Sequence, residues 1–132
     1  MLKKVVAAGR GGRVVIMDSI TRVTADDAGS VAVSASHGGT SSGEFALELA
    51  PLKMAIFNDA GVGKDDAGVA ALAMLQARGV GGAAVSHTSA RIGDAQDTWD
   101  HGVVSFANPI AHGLGLAPGV HLREALRRLV GE

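Results

Sequence analysis

The segment from Lys53 to Arg78 constrains this chain most. Met54-Ala55-Ile56-Phe57 is a short apolar run closed by polar residues, the pattern of a buried strand. Asn58-Asp59-Ala60-Gly61-Val62-Gly63-Lys64 then breaks the run with two glycines. Residues 65–78 follow as a helix that is apolar almost all round, with only Gln76 and Arg78 polar after its first turn. Strand, glycine loop and helix form the unit that sets functional groups at the carboxyl edge of an α/β sheet.

Similar punctuation recurs along the chain. Residues 14–17, 31–36, 81–85 and 103–107 read as further strands. A helix is expected from Thr40 or Ser41 to Pro51, because Ser41 and Glu44 have capping-box spacing. Another is expected over residues 120–130, with Leu122, Ala125, Leu126 and Leu129 as its apolar stripe. Thr24 to Gly29 reads as one capped helical turn. The link from residue 17 to 31 is short for a parallel crossover, so the first two strands are expected to be antiparallel or non-adjacent. Residues 92–102 and 110–119 read as irregular. Residues 1–9 have a faint signal-peptide look, but their apolar part falls short of the roughly 7–15 residues of an h-region.

The chain has 132 residues, enough for one core and too few for two. The expectation is a single α/β domain over residues 1–132, three-layer and Rossmann-like, with a mostly parallel sheet of about five strands. A helix at residues 65–78 that is apolar all round has more than one side to bury, which predicts a homo-oligomer.

Composition excludes several functions. A net charge of −1 leaves no electrostatic footprint for nucleic acid or an anionic membrane. Aromatic residues at 3% are too few for base-stacking platforms. The lack of cysteine removes disulfides, thiolate catalysis and cysteine-based zinc sites, and fits a cytoplasmic protein. No run approaches the roughly 20 apolar residues of a membrane span.

The candidate chemistry lies at strand ends. Asp18-Ser19, Ser36-His37-Gly38-Gly39, Asn58-Asp59, His87-Thr88-Ser89 and Asn108 each follow an expected strand. Parallel strands would bring these clusters to one edge, where ligands of open α/β sheets bind. In His37-Gly38-Gly39-Thr40-Ser41, two glycines before a helix allow backbone N–H groups to converge on an anion; a tight turn with an N-cap explains the same residues. Gly39 to Gly43 also matches G-x-S-x-G, but His37-Gly38-Gly39 separates Ser41 from the strand, unlike a nucleophile elbow. Gly63-Lys64 resembles a phosphate loop only loosely, and the adjacent Asp65 and Asp66 would repel a polyphosphate. They suit the first turn of a helix instead.

Asp59 is read as a general base or metal ligand, with Asn58 as a hydrogen-bond donor beside it; an Asx-turn is the structural alternative. His87 is read as a proton carrier and Arg91 as a fork for a substrate carboxylate, unless Asp94 or Asp97 holds Arg91 in an ion pair. His101, His112 and His121 are read as surface or packing residues. No cofactor motif is present. A divalent metal such as zinc or manganese on Asp18, His37, Asp59 and His87 is the one cofactor these residue types would admit.

The functional expectation is a small-molecule enzyme of hydrolase or lyase type acting on an anionic, carboxylate-bearing metabolite. His37, Asp59 and His87 are its catalytic candidates. Gly38, Gly39, Ser41, Asn58 and Arg91 are its substrate-binding candidates. The rivals are a non-catalytic ligand-binding module and an oligomeric assembly subunit.

Overall fold

The computed structural model describes residues 1–132. One mixed sheet of six strands runs through the molecule: β1 (Lys3–Gly9), β2 (Gly12–Met17), β3 (Val31–His37), β4 (Met54–Asn58), β5 (Gly81–Val85) and β6 (Val104–Ala107). Strands β2 to β5 are mutually parallel, and the outer strands β1 and β6 are antiparallel to their neighbours. Strand order follows chain order, so nowhere does it reverse to form the crevice of a doubly wound sheet. Five helices accompany the sheet: α1 (Thr40–Glu48), α2 (Ala71–Ala77), α3 (Ala95–His101), α4 (Pro109–Gly113) and α5 (Leu122–Val130).

Alternation along the strands sends side chains to two separate apolar clusters. Val31, Val33, Met54 and Ile56 join Trp99, Leu122 and Leu126 of α3 and α5 on one face. Ala32, Ala55 and Phe57 join Ala46, Leu72 and Leu75 of α1 and α2 on the other. Strands covered on both faces have no polar side to alternate, which is why β4 is apolar throughout until Asn58.

Several expectations from sequence are corrected here. Residues 3–9 form a sixth strand, because a hairpin through Arg10 and Gly11 pairs them with β2. β2 and β3 are adjacent and parallel, joined by two 3₁₀ turns at Ile20–Arg22 and Ala25–Asp27 that cross the sheet economically. The turn at Ala25–Asp27 is capped as expected, with the Thr24 N–H donating to Asp27 Oδ2 at 2.8 Å. Residues 92–102 contain α3, which Asp94 caps by accepting from the Asp97 N–H. Residues 110–119 contain most of α4, capped by Asn108. The capping box at Ser41 does not form: Gly39 is the N-cap of α1, leaving Ser41 inside the first turn. The helix expected from residue 65 is also divided. Asp65 and Asp66 have left-handed backbone (φ 55° and 59°), so α2 begins only at Ala71.

The β1–β2 turn packs tightly on the end of α5. A Cβ at Gly9 would collide with the Val130 carbonyl oxygen, and Gly11 N–H donates to that oxygen at 3.1 Å. Both sides of the contact are backbone, so little can yield. Gly9→Ala should therefore lower the unfolding free energy by about 1–3 kcal/mol, read as a shift in urea midpoint at unchanged slope.

Candidate functional site

Because β3, β4 and β5 are parallel neighbours, His37, Asp59 and His87 leave the sheet at a common edge. Asp59, the residue after β4, is only 4% exposed. Its Oδ1 accepts the Gly61 N–H at 2.9 Å and the His87 N–H at 3.1 Å. The same oxygen lies 3.1 Å from His87 Nδ1. Its Oδ2 accepts the Ser105 hydroxyl at 2.8 Å, closer than that hydroxyl's other acceptor, Ala84 O at 3.3 Å. Burial pushes the Asp59 carboxyl up, but the donors Gly61, Ser105 and His87 together hold it below its ordinary value. An ionised carboxylate only accepts, so His87 donates through Nδ1 and presents Nε2 outward. The His87 side chain is 55% exposed, which gives that nitrogen access to a ligand.

Ser105 was not singled out in the sequence. β6 is antiparallel, so its beginning, not its end, lies beside Asp59. The same reversal removes Asn108 from this edge. Its side chain bonds Gly82 N, Ala111 N, Leu72 O and Val80 O, fastening β6 to α2 and α4. Asp18 stays at the right edge but serves as a clip, accepting from Leu2 N at 2.7 Å and Ala95 N at 2.9 Å. The Ala95 and Leu2 N–H groups hold the Asp18 carboxyl below its ordinary value, outweighing the opposing push of burial. No group of three or more histidine or carboxylate side chains is arranged to hold a metal ion, so the ligand set of Asp18, His37, Asp59 and His87 does not assemble.

A cleft of about 550 Å³ opens beside His87. Asn58, Arg91, Ile92 and Asp97 also line it. The Asn58 side chain is already engaged: it donates to Ala90 O at 3.0 Å and accepts the Ala60 N–H at 2.8 Å, which is the Asx-turn alternative. The Arg91 guanidinium is in no ion pair. Asp97 instead accepts the Arg91 backbone N–H at 2.7 Å and pairs with His101 at 2.9 Å. Those contacts, led by the Arg91 N–H, hold the Asp97 carboxyl below its ordinary value.

A second cleft of about 530 Å³ lies on the other side of the residue 60–63 loop, lined by His37, Gly39, Thr40 and Ser41 among others. The two glycine N–H groups expected to converge on an anion are committed elsewhere. Gly38 donates to Gly68 O at 2.9 Å, and Gly39 donates to His37 Nδ1 at 3.0 Å. Turn closure, rather than ligand binding, uses them. No histidine is hydrogen-bonded to the Ser41 hydroxyl, so nothing here activates it as a nucleophile.

The loop between the clefts is backbone under strain. Ala60 and Val62 have φ of 53° and 68°, a conformation that costs non-glycine residues on the order of 1–3 kcal/mol each. Val62 N–H to Asp59 O (2.7 Å) and Gly68 N–H to Val62 O (2.6 Å) hold it. Gly68 leaves room for this closure, since a Cβ there would strike the Asp59 carbonyl oxygen.

Comparison with protein-family models, with curated proteins and with solved structures gives no match. The chemistry of the site therefore rests on its geometry.

Asp59→Asn replaces an acceptor shared by several donors with a weaker, neutral one. At pH 7 it should cost about 1–3 kcal/mol in denaturant unfolding. A lowered folded-state pKa contributes stability above the unfolded value, near the reference of 3.8, and loses it as pH falls through the folded value. The difference between the two proteins should therefore shrink progressively below that reference.

Proposed function

We propose that the protein is a small-molecule enzyme that moves a proton on a carboxylate-bearing substrate held in the cleft beside His87. The observation that carries this reading is the Asp59–His87 pair: a buried carboxylate fixes the ring through Nδ1 and leaves Nε2 facing a cleft. In this reading His87 is the proton carrier and Asp59 its positioning residue. Arg91, free of ion pairs and lining the same cleft, forks onto the substrate carboxylate. Hydrolase or lyase chemistry suits a site built from an acid–base group and a cation.

The three-layer reading of the fold and its mostly parallel sheet belong to the same proposal. Apolar clusters on both sheet faces and four consecutive parallel strands support it. The likeness to a Rossmann fold extends only to the parallel strand–loop–helix units. The absence of cysteine supports a cytoplasmic location. Homo-oligomer formation is supported by the outer side of α2, where exposed Ala73 and Ala77 share an apolar cleft of about 610 Å³ with Phe106.

A panel of carboxylate metabolites tests the enzyme reading, first by thermal shift and then by mass spectrometry of products. At least one should stabilise the protein saturably and be converted. His87→Gln should lower kcat about 10²–10⁴-fold. Arg91→Ala should act mainly on KM. A ligand that binds at His87 and Arg91 but is never converted would leave the non-catalytic binding module in its place. For the oligomer, light scattering on the wild type and on Ala73→Glu should show a larger species only in the former.

A further inference from the structure

The two histidines flanking the residue 60–63 loop are held in opposite tautomers. His87 is fixed by the Asp59 carboxylate with its proton on Nδ1, so its neutral ring offers a lone pair at Nε2. His37 is the reverse. Its Nδ1 accepts the Gly39 N–H at 3.0 Å, so its neutral ring carries the proton on Nε2 and is a donor there. Each ring lines one cleft, and Ala60 and Ile92 line both, so the two clefts adjoin at the residue 60–63 loop. β3 and β5 flank β4, and two strand spacings set their ends roughly 10 Å apart.

We infer that the two adjoining clefts act as one groove that takes an elongated oxo-acid or dicarboxylate, with one carboxylate at Arg91, the proton-exchanging group at His87, and a second oxygen acceptor at His37 Nε2–H. A ring that has only a donor to offer selects oxygen with a lone pair: a carbonyl or a second carboxylate. A monocarboxylate fills only the half of the groove next to Arg91. The inference rests on the His87–Arg91 reading above and adds to it a length and a second polar end for the substrate.

Ring-labelled ¹⁵N-histidine protein at about pH 8, above the ordinary imidazole range, reports both tautomers directly in two-bond ¹H–¹⁵N correlations. The expected spectrum shows His87 protonated at Nδ1 and His37 protonated at Nε2. Acetate, malonate, succinate, glutarate and adipate are then titrated as probes of graded length. A longer dicarboxylate should shift both rings saturably and bind about tenfold tighter than acetate, the gain of one further hydrogen bond. His37→Phe should abolish that advantage, and His37→Asn, which keeps a side-chain donor, should restore part of it. If carboxylates of every length shift His87 in an Arg91-dependent way while His37 stays unmoved, the extended groove is overturned and the His87–Arg91 site stands. A proton found on His37 Nδ1 also overturns the extended groove alone. If no carboxylate shifts either ring, both readings fall.

Discussion

The Asp59 carboxylate is the contact on which the rest of the site depends. Moving a carboxylate out of water costs several kcal/mol unless donors surround it. Here they come from three places: the loop after β4 through the Gly61 N–H, the segment after β5 through the backbone N–H and Nδ1 of His87, and β6 through the Ser105 hydroxyl. One buried acceptor thus ties together three adjacent strand ends and fixes the orientation of the one exposed ring among them. The strained backbone at Ala60 and Val62 is tolerated because this anchoring, together with the Gly68 closure, over-determines the loop.

Polar residues at strand ends divide here into two groups. Asp18, Asn58 and Asn108 spend their side chains on backbone groups, and so join elements that packing alone would leave loosely attached. Gly38 and Gly39 likewise spend their N–H groups on turn closure. What faces the clefts with unspent polar atoms is a smaller set, chiefly His37, His87 and Arg91. Backbone groups that leave a sheet must be satisfied somewhere, and a nearby Asp or Asn is the cheapest partner. A cluster of polar types at a strand end therefore marks a chain reversal as readily as it marks a binding site.

The central strands were legible because doubly covered strands are written as continuous apolar runs between polar breaks. Residues 54–57, 31–36 and 14–17 all lie within observed strands. β1 was not, since its exposed Lys4, Val5 and Ala8 give an edge strand no clean period. The short helices α3 and α4 were hidden for a related reason. Seven and five residues are too few to establish a helical period, and their caps, Asp94 and Asn108, look like loop residues. Asp65 and Asp66 show the opposite failure, a favourable helix-start composition overridden by the left-handed turn that closes on Gly68.

Sequence alone determined the class of fold, the parallel neighbourhood of β3, β4 and β5 as a candidate edge for chemistry, and the residue types available there, because apolar period and glycine placement are local properties. Tertiary structure decided which of those polar groups remain free. It turned β6 antiparallel, brought Ser105 rather than Asn108 to Asp59, and fixed the tautomer of His87 through Asp59. Hydrogen-bond partners tens of residues apart carry no local signal, and those partners are what separate a structural carboxylate from one that orients a ring.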